Sequence, residues 1–598
     1  MRALVRFLLS SWFIISSALG LLFGLTPLET LRTQQQQANA GVFGPPALPA
    51  VRAARYQGLR VGLLATAVLS AGGLGLLRRA GRRLAAARWR TEWRGGRRSL
   101  VAAWQRLRPV QRWVALLLGA AALGLRSWLL LRSPITIDEL TSYDFFVRPG
   151  LATTVSSYTV PNNHVLHNLL VGGLAELTGL APDVVQRLPA LLVSAALLPL
   201  SYLLLLRYLR FGAATLALGW FTFLPLPVFY AVAGRGYSLQ LAAAIVGLFA
   251  ALELLRPGGR RWLPEAAFVL SGSLGLYAVP SHAGLLAAFG LVLAAAYARL
   301  APRVRWLRLG RLAVATGGIA LTAGLLYAPV GAISGWEALF QNPYVRSSLS
   351  WAAFGDGLPA YLLETASQLW GHGRWTVPGL AGLLVLGPVA LARLRPRLRP
   401  LGWLSLAGMV VPLAFSSMQR LYSPPRTLLA SVFCSGVLLA LLVQEGLGWW
   451  QRRQPGWAHP RTRQAVAVGA LVAVYGAGRL RAESGLLQSL RQHHQAIAQQ
   501  YRWLRAQRPQ RVWLSEASYV GHGIYWYHQG LVAGAPLPLV VATALPRPAA
   551  GQRAREYVIF NQPLAAPPPA MLQGRAPVYA DAYICIWRLD APLAAVGK

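Results

Sequence analysis

The sequence predicts a polytopic α-helical membrane protein with about 13 transmembrane helices, followed by a small C-terminal extracytoplasmic α/β domain. Three observations lead there. Hydrophobic residues make up 55% of the 598 positions, and mean hydropathy is positive, at +0.44. Apolar blocks of about 20 residues, the length that crosses a bilayer, recur along the chain. Finally, the connections between blocks alternate between Arg-loaded and Arg-poor, as the positive-inside rule requires of a membrane-threaded chain.

Arg2 and Arg6 precede an apolar stretch from Phe7 to Leu25. It is long for a signal peptide, and the cleavage-like "ANA" at Ala38 to Ala40 lies far downstream, so the stretch reads as an uncleaved anchor. Further blocks lie at 59–77, 113–131, 188–206, 213–233, 238–255, 262–280, 283–300, 312–331, 377–394, 401–418, 427–446 and 465–479. Segment 78–112 carries twelve Arg against Glu92 alone, and "RYLRF", "RPGGRR", "APRVRWLRLGR", "ARLRPRLRP" and "QRRQPGWAHPRTR" continue the series at alternate connections. With these six facing the cytoplasm, the loops 132–187 and 332–376 and everything from about 480 onward face outside. Within the first loop, "LHNLLVGGLAELTG" has helical spacing but is too short and polar to cross, which predicts a helix along the membrane surface. In the tail, "RVWLSEASYV", "REYVIFNQP" and "YICIWRLD" read as strands separated by Pro-rich connectors. The expected organisation is two extra spans with a basic cytoplasmic loop (1–112), a transmembrane domain (113–480) and an outer α/β domain (481–598).

The net charge of +40 raises the question of nucleic acid, but the arginines sit in short clusters between apolar blocks, where they act as topology signals. No nucleic-acid partner is expected; the lipid bilayer is. Only two cysteines occur, which excludes a disulfide framework and a cysteine metal site. No internal repeat marks the inverted symmetry of many secondary transporters.

"PITIDELTSYDFF" (Pro134–Phe146) places Asp138, Glu139 and Asp144 just outside a span, in a chain with 18 acidic residues. Exposed loops hold charges as a matter of course; the neighbours make these acids notable. "PNNHVLHN" adds Asn163 and His164 on the same outer face, without the ligand set a structural zinc requires. Arg235 and Tyr237 in "GRGYS" break the positive-inside pattern, as do Arg420 and Arg426 in "QRLYSPPRTLL". Snorkelling at headgroups explains such residues; phosphate binding by fixed, paired donors is the functional alternative. "YAVPSH" contributes His282, whose plain reading is an interface histidine. The second outer loop offers Trp336 and Arg346 as substrate-covering residues, although indoles there also suit an interfacial belt.

"DELTSY", then "NNHVLHNLLVGGLAELTGLAPDVVQRLPALLVSAALLPLSYLLLLRYLRFG", then "GRGYSLQLAAA" resembles the polyprenyl-phosphate-sugar-dependent glycosyltransferases of the GT-C fold. The similarity is to the branch of protein O-mannosyltransferases and lipid A aminoarabinose transferases. It covers Pro134 to Leu255, about a fifth of the chain. The chain departs from the family pattern at Asn162 and Asn163, where prolines usually stand, at Gly236, and in its two extra N-terminal spans.

The resemblance implies transfer of a sugar from a polyprenyl phosphate to an extracytoplasmic acceptor (lipid, glycan or protein), with inversion at the anomeric carbon. Such a protein would sit in the cytoplasmic (inner) membrane with its active site facing outward. Asp138 is the expected base, on the reasoning that desolvation at the membrane edge raises its proton affinity. Glu139 is the second catalytic candidate, pointing elsewhere and orienting acceptor or loop, with the reverse assignment of the two acids left open; Asp144 is the bystander. Arg235 with Arg420 or Arg426 is expected to stabilise the departing phosphate; Asn163, His164, Tyr237 and His282 are further candidates for donor binding. A hard divalent cation is compatible with Asp138 and Glu139, but without a third ligand none is obligatory. The alternative function is a transporter or flippase of a lipid-linked solute. It expects charges at midplane along broken spans, whereas the candidates here gather at one face.

Overall fold

The computed structural model describes residues 2–43, 51–78, 82–256, 262–341, 347–371, 376–453, 461–542, 555–562, 572 and 575–589. The chain opens with α1 (Arg2–Leu25), the polar α2 (Leu28–Phe43) and α3 (Ala53–Arg78). α1 and α3 pack side by side as a hairpin. The basic α4 (Arg82–Gln105) leads into α5 (Pro109–Arg132), whose first residue is the proline that a helix start tolerates. The connection between α5 and the next long helix holds α6 (Ile137–Ser142), a π-turn (Tyr143–Val147), α7 (Leu151–Ser156), α8 (Val165–Thr178) and α9 (Pro182–Val185). α8 is a helix, as the spacing of "LHNLLVGGLAELTG" predicted. It stops at Gly179, which adopts φ +61°, a left-handed value that glycine takes without a Cβ penalty.

The bundle continues with α10 (Leu188–Leu206), α11 (Phe211–Thr222), α12 (Pro225–Tyr230), α13 (Tyr237–Leu255), α14 (Trp262–Ala278), α15 (Ala283–Ala298) and α16 (Pro302–Ile333). After α17 (Trp336–Phe340) and α18 (Trp351–Trp370) come α19 (Thr376–Arg393), α20 (Arg399–Met418), α21 (Leu429–Arg453) and α22 (Arg461–Ala506). Among the described residues ten helical segments are long and apolar enough to cross a membrane, which makes this a polytopic membrane protein. The other three expected blocks are helical but shorter. Block 213–233 divides into α11 and α12 because Leu224 precedes Pro225 and is extended (ψ 146°); block 262–280 is the 17-residue α14; block 465–479 is the first third of α22. That helix runs unbroken through the expected domain boundary at 480.

The main core joins α10, α11, α13, α15, α20 and α21; a second cluster packs α1 and α3 on α7 and α16. α22 carries the chain into the α/β domain: β1 (Arg511–Leu514), α23 (Glu516–Ser518), a π-turn (Tyr519–Gly523), α24 (Ile524–Val532), β2 (Leu539–Val541), β3 (Glu556–Asn561), β4 (Tyr579–Ala580) and β5 (Ile584–Arg588). Strand order is β2-β1-β3-β5-β4, with β1 parallel to β2 and β3, and β5 antiparallel to β3 and β4. Only "RVWL" of the first predicted strand is extended, because Ser515 caps α23 by accepting from the Ser518 amide at 3.1 Å. The domain core (Val512, Leu514, Ile559, Ile586) is continuous with Ile135 and Leu140. The tail therefore sits directly on α6.

Candidate active site

The site begins with "TIDE". Thr136 caps α6: its Oγ1 accepts from the Glu139 amide (3.3 Å), while the Glu139 carboxylate accepts from the Thr136 amide (2.8 Å). This Thr-x-x-Glu capping box pins Glu139 beneath the helix start. Glu139 is wholly buried. Its oxygens accept from Arg187 Nε (2.7 Å) and Nη2 (2.8 Å), the Gly234 amide (2.7 Å), and the Thr136 amide and hydroxyl (2.8 and 3.0 Å). Arg187 also donates to the Leu130, Ser133 and Pro134 carbonyls. One ion pair thus ties the end of α5, the start of α10 and the α12–α13 turn together. Burial pushes the Glu139 carboxyl up, but Arg187 and the hydrogen bonds outweigh it and hold the group ionised. With its lone pairs taken, Glu139 has no room for an acceptor proton or a cation. In these contacts Glu139 is a latch between the three segments.

Asp138 faces the other way. Its side chain is 40% exposed, and Oδ2 lies 2.8 Å from Nη1 of the buried Arg235. The adjacent acids grip adjacent residues, Glu139 the Gly234 amide and Asp138 the Arg235 guanidinium. Burial is the largest influence on the Asp138 carboxyl and raises its proton affinity, but Arg235 and then Arg426 oppose it and together prevail. The group therefore lies below the usual carboxylate range, the reverse of the expected upward shift, because two guanidiniums outweigh partial desolvation.

Around this pair the aromatic side chains close ranks. Arg235 stands 5.8 Å from the Tyr237 ring centre. Tyr237 packs edge-on to Tyr230 and His164, and its hydroxyl accepts from Arg426 Nε at 3.0 Å. His164 Nδ1 is 3.1 Å from the Ala278 carbonyl, which assigns the proton to Nδ1. Its buried Nε2 has no protein partner among the described residues. Burial, reinforced by Arg235, holds this imidazole well below its ordinary value and neutral. Gly236, a departure from the family pattern, has a structural reason: a Cβ there would lie 2.7 Å from the Ala278 carbonyl oxygen and 3.0 Å from His164 Cβ.

Of the predicted residues, Asp138, Arg235, Tyr237, Arg426 and His164 are thus brought together. Others are placed elsewhere. Asn163 spends its amide on the Thr154 and Ser157 carbonyls and accepts from Asn168, fastening α7 to α8. Arg420 adopts φ +53° and lays its guanidinium 5.6 Å from the Trp351 ring centre. The buried His282 ring packs on Gly275. Trp336 folds over Gly331 at a groove shared with α3, and Arg346 lies outside the described residues. Asp144 is buried, with Oδ1 2.9 Å from Arg148 Nη2 and Oδ2 2.7 Å from His528 Nδ1 in the tail domain. Arg187 and His528 escaped sequence reasoning. The same exception to the positive-inside pattern that flagged Arg235 marks Arg187; nothing local marks His528.

No protein-family model and no curated protein sequence matches the chain. In structure it is similar to ArnT from Cupriavidus metallidurans, solved in a crystal with undecaprenyl phosphate bound. The TM-score is 0.51 at 15% identity, and the match covers 81% of this chain and 99% of that one. What the likeness shows is architecture, the GT-C membrane fold.

Proposed function

We propose that the protein is a membrane glycosyltransferase that moves a sugar from a polyprenyl-phosphate donor to an acceptor hydroxyl on the outer side, with Asp138 as base. The observation that carries this reading is the contrast at α6: a sealed Glu139 beside a half-open Asp138 that faces Arg235 and Arg426. The structural likeness to a protein that binds undecaprenyl phosphate supports the donor class.

In the step envisaged, Asp138 takes the acceptor's hydroxyl proton as its oxygen bonds to the anomeric carbon. The bond from that carbon to the phosphate oxygen breaks, and the polyprenyl phosphate leaves with the electron pair, giving inversion. Arg235 and Arg426 offset the negative charge that develops on the leaving oxygen. A docked phosphate also screens the two guanidiniums that depress the Asp138 carboxyl, so donor binding raises its basicity when it is needed. Tyr237, held by Arg426, fixes that arginine's position.

The transporter alternative has one observation to draw on, the charged Arg126 buried inside α5. Its three hydrogen bonds go to Ser194, Ala122 and Thr222, which makes it a tie between helices rather than a relay. Proteoliposomes given labelled polyprenyl-phosphate sugars and an envelope-lipid or glycan acceptor test the proposal. Wild type should form a covalent product that Asp138→Asn loses. Solute uptake without product would establish transport instead.

A further inference from the structure

At the Arg-rich end of the bundle, opposite the acids of α6, α4 lies against α10, and a cavity of about 720 Å³ opens between α4, α5, α10 and α11. Its volume is that of a ligand pocket, and its walls are almost wholly apolar. Small residues make the space: Gly119, Ala120 and Ala122 on α5 and Ala195 on α10 line it. The polar groups in the wall include Tyr202 and Thr215, which bond each other at 2.9 Å.

Three features say what fills it. Leu116 and Leu123 line the cavity yet are 51% and 42% exposed, so its side opens to the bilayer. α4 offers Arg97, Leu100, Val101 and Trp104, which helical spacing puts on one face, so a cationic group stands at the mouth above an apolar wall. Arg97 makes no hydrogen bond or ion pair among the described residues, and Glu92, the one acid of 78–112, is taken up by the Leu263 amide. Next to the cavity lies Arg126, bonded to the carbonyls of the cavity-lining Ala122 and Thr222 and to the Ser194 hydroxyl, all neutral partners. Among the described residues, two positive charges and no carboxylate therefore flank an apolar slot.

We propose that this cavity binds one anionic phospholipid, an acyl chain filling the slot and the phosphate resting on Arg97. Juxtamembrane arginines attract anionic headgroups, and the chain supplies packing that the small residues of α5 leave undone. The site lies apart from the acids of α6 and does not rest on the function proposed for them.

Native mass spectrometry of the full chain, released from nanodiscs that contain phosphatidylglycerol and phosphatidylethanolamine in equal amounts, tests this. Wild type should retain one phospholipid per chain, enriched at least fivefold in phosphatidylglycerol. Gly119→Leu, where a Cβ meets no neighbour within 4 Å, should abolish retention, as should Ala195→Leu from the facing helix; Arg97→Gln should keep a lipid but lose the enrichment. Should either filling variant fail to fold, the other decides. Retention unchanged by filling, no preference between the two headgroups, or an isoprenoid lipid or detergent in place of phospholipid would overturn the proposal.

Discussion

Two arginine–carboxylate pairs begin one residue apart on α6 and end in different circumstances. Arg187–Glu139 is sealed, with side chains 5% and 0% exposed, and closes in two parallel hydrogen bonds; Arg235–Asp138 buries its arginine but leaves its acid 40% open. Solvent access separates their uses. A sealed, saturated pair repays its desolvation through geometry and is costly to break, whereas a single-contact pair at an opening can exchange its partner for a substrate. The Thr136 capping box causes the split, because it commits the fourth residue of "TIDE" inward and leaves the third to point out.

The largest effect should come from the open pair. Asp138→Asn keeps the shape and removes the base, so turnover should fall by about 10²–10⁴-fold while thermal unfolding in detergent barely moves. Glu139→Gln or Arg187→Ala should do the opposite first, destabilising the fold by roughly 3–5 kcal/mol because one buried charge loses its partner. If Glu139→Gln instead kept its melting temperature and lost turnover, the two acids would have to exchange roles.

Next in size is Arg426→Ala, for which we expect about a 10²-fold loss of kcat/KM, with Tyr237→Phe costing less because the arginine's charge survives. The Arg235 pairing should show in pH profiles. The Asp138 carboxyl lies below its unfolded value of about 3.9, so its charge persists above that value and is lost only as pH falls through the lower folded one. The acid limb of kcat/KM should accordingly lie below about pH 4 in the wild type. Arg235→Gln removes the first opposing charge, lets burial dominate, and should move the limb up by about 1–3 units. An unmoved limb would mean that another group titrates in the rate.

How much of this was legible follows from the range of each interaction. Helical blocks, the helix α8 and the strands near Val512, Tyr557 and Ile586 come from local periodicity, which a single sequence displays. The charge pattern exposed Arg235 and Arg426 as exceptions, yet it flagged Arg420 equally, because topology says which face an arginine is on and not which neighbour it meets. Arg420 meets Trp351. Glu139 reaches Arg187 across 48 residues and Gly234 across 95, distances over which no periodicity carries information. The sign of the Asp138 shift was hidden for the same reason: desolvation is a property of place, but the opposing charges come from remote segments.

The smallest effect lies at a third acidic contact, where the comparison can be sharpened. Asp144 is sealed like Glu139, but its partners come from two domains, Arg148 beside it and His528 on α24, 384 residues away. Tyr525 donates to the Ile135 carbonyl and Tyr527 packs on Phe145, so α24 rests on the segment that bears Asp138. His528→Ala leaves Oδ2 of a buried carboxylate without its donor while Arg148 still compensates the charge, so the cost should be about 1–3 kcal/mol, less than at Glu139. Hydrogen exchange should then quicken in α24 and the Tyr143–Val147 turn but not in α10, and turnover should drop a few-fold through poorer positioning of α6. Faster exchange spreading to α10 would show that the tail and the Arg187–Glu139 latch form one cooperative unit; no change in α24 would show that apolar packing alone docks the tail.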